Sequence, residues 1–285
     1  TGMGIAAVIP MSLAWIGDKS SYETRQATLG RFVGFLLLGQ VMGPAIGGML
    51  SQLFSWREVF YGLGAAFFAV GVILLIEDRR MRKIDTPAVS SGNVFRVYLE
   101  IIKNRWVRIV LLTTFLEGAL FFGTFAYVGA YLQQKFSLSF GLTGAILAFY
   151  GIGGFIYTLS VRRLLSRLGE RGFVNFAGLV ILICFLLLPW LPAWQTAIPV
   201  LTAVGFGFYM FHNTLQTRAT EMVPAARGTA IALFAFFLFV GQAAGVSLSG
   251  LAIRLTGYQA TFCAVGILLL LLTLWFGYRM KRHIT

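Results

Sequence analysis

The sequence predicts an all-α fold, a polytopic bundle of transmembrane helices, and three observations carry that expectation. Of its 285 residues, 58% are hydrophobic and 12% are charged, against about 25% charged in a soluble domain. Apolar stretches recur at a length near the roughly 20 residues that cross about 30 Å of hydrocarbon. The chain also nearly repeats itself. Arg25 falls on Arg227, Gly39-Gln40 on Gly241-Gln242, Gly43 on Gly245, Gly48 on Gly250 and Phe60 on Phe262, at one constant offset and without a gap. A long-period repeat of spans in the same order marks a transporter built from two parallel halves, with the solute route between them.

Nine apolar stretches follow one another, at 2–17, 29–50, 58–76, 107–132, 138–161, 173–191, 195–216, 227–252 and 257–278. The first is short because the chain opens inside it, on Thr1-Gly2-Met3-Gly4, with neither the basic region nor the cleavage site of a signal peptide. The longest connection, 77–106, carries Glu77-Asp78-Arg79-Arg80, Pro87 and Ser90-Ser91-Gly92, so it reads as a linker, part charged and part flexible. Within it, Arg96 to Arg105 is either a short amphipathic helix on the membrane surface or a solvated connector. The expected organisation is therefore 1–76 as the last three helices of a first six-helix half, 77–106 as a cytoplasmic linker and 107–285 as a second six-helix half. If the halves match, roughly 95–110 residues, three spans, belong upstream.

The net charge is +13. It does not form the basic face of a nucleic-acid-binding domain, because the charges sit in short loops between apolar runs. Of the 23 Lys and Arg residues, all but Arg57, Lys135 and Arg254 fall in one alternate set of loops. That set is cytoplasmic by the positive-inside rule, which puts the C-terminus inside. The expectation is a multi-pass protein of the cell membrane, a bacterial inner membrane, acting as a monomer on a small-molecule substrate and protons. Cys184 and Cys263 lie inside spans and read as small packing residues rather than a disulfide. Trp56, Trp190 and Trp194 sit at span ends as interface anchors. No phosphate-binding Gly-rich loop occurs, His212 and His283 with so few acids make no metal site, and no Ser/His/Asp constellation is apparent. Neither an enzyme nor a cofactor is expected.

The second span holds Gly39-x-x-x-Gly43-Pro44-x-x-Gly47-Gly48. Glycines four apart line one helix face and let another backbone approach. Pro44 removes the amide that would bond residue 40 and bends the helix. The eighth span repeats the small face as Gly241, Gly245 and Ser249 without the proline. Gln40 and Gln242, at equivalent positions, are placed to bond across helices.

With these residues the chain resembles the major facilitator superfamily, and more closely its twelve-helix drug:proton antiporters. The resemblance covers the whole chain as the fourth to twelfth helices. In that family the Gly-x-x-x-Gly-Pro-x-x-Gly-Gly pattern in the fifth helix is the antiporter motif, which implies proton-driven export. A second family motif, Gly-x-x-x-Asp-Arg-x-Gly-Arg-Arg, has a degenerate copy between the eighth and ninth helices. Here that copy is matched by Arg167, Gly169 and Arg171, while Arg162, Ser166 and Glu170 depart from it. The departure at Ser166 puts in doubt any charge latch through the motif's Asp. Arg25 and Arg227 open the two repeat copies in cytoplasmic loops.

Of ten acidic residues, only Glu117 lies in the interior of a span, Glu58 standing at the edge of one. At 1.5 Å per residue it sits about 15 Å deep, near the midplane. Thr113, Thr114, Phe121 and Thr124 share or adjoin its face, which reads as polar enough to line a cavity. Desolvation favours the protonated carboxyl. Such a group couples proton movement to exchange or receives a cationic substrate; alternatively it is a neutral Glu bonded to a neighbouring helix. The seventh span carries Tyr209, His212, Asn213 and Gln216 on one polar stripe toward its cytoplasmic end. This is a gate or cavity wall, with His212 either titrating near neutrality or simply satisfied by a hydrogen bond. The aromatics of the fourth and eighth spans read mainly as lipid-facing packing.

Overall fold

The computed structural model describes Ser12 and residues 22–81, 101–223 and 227–284. The expected first span, 2–17, lies outside them apart from Ser12, as does most of the linker. So do the side chains of Arg25, Gln40 and Arg227.

The described chain is helical. Helix α1 spans Tyr22–Leu53 and runs through Pro44. Helix α2 spans Trp56–Met81. Its start is fixed by Ser55 and Glu58. The Ser55 amide donates to Glu58 Oε2 at 2.7 Å and the Glu58 amide donates to Ser55 Oγ at 3.4 Å, a reciprocal cap that satisfies two orphan amides.

Helix α3, Arg105–Glu117, is capped by Asn104, whose side chain accepts from the Trp106 amide at 2.8 Å. It does not continue as the single helix expected over 107–132. A π-helical turn, Gly118–Phe122, follows, then α4, Gly123–Phe125, then α5, Val128–Phe136. Ser137, at φ 54°, ends α5, and Ser139 caps the next helix through the Leu142 amide at 3.2 Å.

Helices α6, Phe140–Leu187, and α8, Arg227–Ile284, contain 48 and 58 residues. At 1.5 Å per residue each is more than twice as long as one crossing needs. Each is two arms. Gly169 (φ 63°, ψ 167°) and Gly257 (φ 82°, ψ 169°) adopt backbone conformations that side chains disfavour. The reversal at Gly169 is visible in the contact between Tyr157 and Phe173, whose rings are 6.3 Å apart, although sixteen residues of straight helix would separate them by about 24 Å. Along α8, Gly241 meets Phe115 and Gly245 meets Ala119 in the first arm. In the second arm Phe262 meets Tyr131 and Phe276 stacks on Trp106. The first arm thus runs parallel to α3–α5 and the second returns antiparallel. Helix α7 is Ala197–Glu221, preceded by short 3-10 turns at Leu188–Trp190 and Trp194–Thr196.

Helices α3–α8 pack into one bundle, while α1 lies against the first arm of α6 and α2 touches little but α1. Close backbone approach drives the bundle, since lipid gives no hydrophobic reward for helix pairing. A Cβ at Gly245 would fall 2.5 Å from Ala119 Cα, and one at Gly153 would fall 2.6 Å from the Phe206 amide nitrogen. Between α1 and α6 the close residues are Pro44 and Gly48 against Gly144, whose Cβ would lie 3.0 Å from Gly48 Cα. Nothing among the described residues lies within 4 Å of a Cβ at Gly39, Gly43 or Gly47. The α1 face that meets another backbone is rotated by one position from the Gly-x-x-x-Gly stripe.

Candidate functional site: a buried carboxyl and imidazole

A carboxyl group in the apolar part of a helix requires a partner, because no water is there to solvate it. Glu117 closes α3 immediately before the π turn. Gly118 and Gly123 flank that turn, and both lie hard against the α8 backbone. A Cβ at Gly118 would meet the Gln242 amide at 3.1 Å, and one at Gly123 would fall 2.7 Å from Gly245 Cα. The wide turn is seated where two helices touch without side chains between them.

Glu117 is fully buried. Its Oε2 lies 3.2 Å from His212 Nδ1 on α7, whereas Oε1 has no hydrogen-bond partner among the described residues. The expectations allow each residue an interhelical hydrogen bond but do not pair the two, since Glu117 reads as near the midplane and the His212 stripe as nearer the cytoplasmic end. The imidazole is held face to face with Phe208, rings 5.0 Å apart and 19° from parallel, and is tilted against Phe234 at 5.5 Å. The pair is an ion pair when the imidazole is protonated. When the ring is neutral, the tautomer sets the direction: Nδ1–H donates to the carboxylate, or the protonated acid donates to a bare Nδ1.

The polar face around Glu117 is not an open cavity wall. Thr113, Thr114 and Thr124 are all fully buried. The first two hydroxyls donate to the carbonyls of Ile109 and Val110 one turn back, and Thr124 bonds Ser249 on α8 at 2.9 Å. These threonines satisfy themselves inside the bundle and leave nothing for Glu117. Phe121, expected on or near the Glu117 face, is also fully buried. It stacks on Phe208 at 4.3 Å. Phe234 is buried as well, while Phe236 and Phe239 are exposed.

The α7 stripe divides. His212 turns to Glu117. Tyr209 is buried against Tyr150 and Tyr157 of α6, with ring centroids 5.7 and 6.4 Å away. Asn213 is half-buried beside Tyr157. Gln216 is exposed. Tyr150 and Tyr157, one heptad apart on α6, were legible as an aromatic pair on one face but were not singled out. Gln242 is half-buried. Gly241 and Gly245 meet the α3 side of the bundle as helix-packing residues.

Beyond Gln216, at the C-terminal end of α7, Arg167, Gly169, Glu170 and Arg171 are exposed around the α6 reversal. Glu170 pairs with Arg218 of α7, which also donates to Glu221 at 3.0 Å. The charge contact here thus runs through the residue that departs from the family motif. Among the described residues no group of His, Cys, Asp or Glu is placed to hold a metal ion.

Comparison with known proteins fits this architecture. The chain is 25% identical over 201 residues to an uncharacterized MFS-type transporter, YwfA, of Bacillus subtilis (68% of this chain, 47% of the relative). It is 24% identical over 267 residues to another from the same organism, YceJ (90% and 65%). It is 24% identical over 254 residues to a probable sugar efflux transporter of Helicobacter pylori (88% and 63%). The aligned region thus spans about half to two thirds of these relatives' length. The relatives' names are those of transporters, not enzymes. The family model described as Major Facilitator Superfamily matches residues 1–239, and this chain, an integral membrane protein built of apolar helices, belongs to that superfamily.

Proposed function

We propose that the chain forms the greater part of a secondary transporter that exports amphipathic small molecules in exchange for protons by alternating access. It works in a bacterial inner membrane with its C-terminus in the cytoplasm. The observation that carries this reading is the Glu117–His212 contact, 3.2 Å long and set in the apolar interior with one carboxylate oxygen unpaired. Such a pair is retained against a large desolvation cost only where changing its protonation does something. The aromatic rings beside it, Phe121, Phe208, Tyr150 and Tyr209, supply flat apolar surface of the kind amphipathic cations prefer. Export is further supported by the joint at Pro44 and Gly48, where the antiporter motif meets the first arm of α6.

The test is retention of ethidium in bacteria stripped of their own exporters and expressing the complete reading frame. Cells should retain less dye than vector controls, and a protonophore should abolish the difference. Glu117→Gln should return retention to the control level at unchanged membrane expression. Undiminished export by this variant across pH would remove Glu117 from the mechanism. Loss of metabolite uptake on adding protonophore, with no effect on dye, would instead indicate an importer. A second reading, export of a sugar, draws on the name of the Helicobacter relative; efflux of preloaded labelled sugar from the same cells separates it from dye export.

A further inference from the structure

The carboxyl that the proposed mechanism needs has no contact with solvent, yet it must gain and lose a proton in every cycle. Glu117 is fully buried while the His212 side chain keeps 15% of its surface exposed. Among the described residues, the other walls offer the carboxyl no free proton donor. Phe208 and Phe234 flank the ring, and Thr113 and Thr114 commit their hydroxyls to their own helix. Gly118 and Phe115 lie directly on the α8 backbone. Among the described residues, His212 is the polar side chain in hydrogen-bond contact with the carboxyl, and it is also the exposed one.

Resting on the proton-coupled reading above, we propose that His212 is a proton relay through which Glu117 is charged and discharged, so that Glu117 itself never meets water or substrate. A proton taken from cavity water forms an N–H bond at Nε2 and gives an imidazolium. The Nδ1–H bond then breaks as an O–H bond forms at Oε2, leaving a neutral ring and a neutral acid. Release runs the same steps backward, so protons and charge balance at each stage. The other titratable group that interacts electrostatically with Glu117 is Tyr150 of α6, itself beside Tyr209 of α7; α8 presents Phe234 to the ring. The relay is also mechanically tied to the π turn. Phe121, within that turn, stacks on Phe208 at 4.3 Å, and Phe208 stacks on His212 at 5.0 Å. A shift of the turn therefore displaces the carboxyl and the ring together.

The test needs no transported substrate, because protons are the probe. The complete protein is reconstituted in lipid, subjected to a rapid pH jump and followed by the infrared C=O band of a protonated carboxyl. In the wild type a band sensitive to Glu117→Gln should rise and fall with pH. In His212→Phe, which fills the space without a relaying nitrogen, the band should keep its amplitude but form about a hundred-fold more slowly, the low end of what a positioned proton-transfer group contributes. His212→Gln, which retains a hydrogen-bond donor should the Phe variant not fold, should be slowed alike. An unchanged rate in either folded variant overturns the relay while leaving Glu117 as the coupling site. Absence of any Glu117-dependent band in the wild type overturns the coupling site, and the relay with it.

Discussion

Helices α1–α2 and the bundle α3–α8 are written in the same apolar alphabet and have opposite fates. The apolar window of α2 is entirely unburied, whereas half of each corresponding window in α3–α5, α6 and α8 is inside. Phe60, Tyr61, Phe67 and Phe68 of α2 are all more than half exposed, while Phe262, which aligns with Phe60 in the repeat, is fully buried. The same holds for the small residues. Gly241 and Gly245 touch the backbone of Phe115 and Ala119, and their repeat partners Gly39 and Gly43 touch nothing described. Hydropathy therefore reports the solvent a helix tolerates, not the neighbour it has. The second repeat copy displays the contact that the first copy's matching face is shaped to make.

The sharpest way to break this comparison is to add one methyl group to each copy. Gly245→Ala puts a Cβ 2.5 Å from Ala119 Cα, a backbone atom that cannot swing aside. It should destabilise by about 2–3 kcal/mol, as overpacking does, and lower the thermal unfolding midpoint in detergent clearly. Gly43→Ala meets nothing within 4 Å and should stay within about 0.5 kcal/mol of the parent chain. Equal losses at both positions would mean that the bare α1 face is engaged after all.

Much of this contrast was legible beforehand and part was not. The eight expected stretches that lie within the described residues all fall on helices, because long apolar runs bounded by charge are a strong local signal. Gly169 sits between expected spans and Gly257 opens the ninth, where a residue free to reverse the chain is needed. Glu117 stood out as a lone acid in a span. Its partner did not, since His212 is 95 residues away and their meeting depends on how α3 and α7 are rotated. The π turn was also invisible, because Gly118–Phe122 reads as ordinary helix until α8 presses on it. On α1, glycine spacing marks where an approach is permitted, and among the described residues the approach falls on Pro44 and Gly48 of the motif.

A smaller effect belongs to the joint between the two regions. Gly144→Ala points a Cβ at Pro44 and Gly48, 3.0 Å from Gly48 Cα. It should push α1 away without loosening α3–α8. The readout is disulfide crosslinking between Gln52→Cys and Gly141→Cys, positions already joined by a 3.2 Å hydrogen bond. Crosslinking should fall several-fold in the Gly144→Ala background while the unfolding midpoint moves by less than in Gly245→Ala. A midpoint loss as large as that of Gly245→Ala would mean that the pair and the bundle unfold as one unit.

The smallest difference is in polar contacts, and it separates glue inside the bundle from a tie at its edge. Thr124 and Ser249 share a buried hydrogen bond of 2.9 Å between α4 and α8. The Gly141 amide donates to Gln52 at an exposed site, where water competes for both partners. In a double-mutant cycle, Thr124→Val with Ser249→Ala should give a coupling of about 0.6 kcal/mol, the usual size for polar contacts between membrane helices. Gln52→Ala should be neutral within about 0.5 kcal/mol, as exposed substitutions are. If Gln52→Ala cost as much as the buried coupling, the α1–α6 joint would be shielded from water, and the boundary between pair and bundle would lie elsewhere.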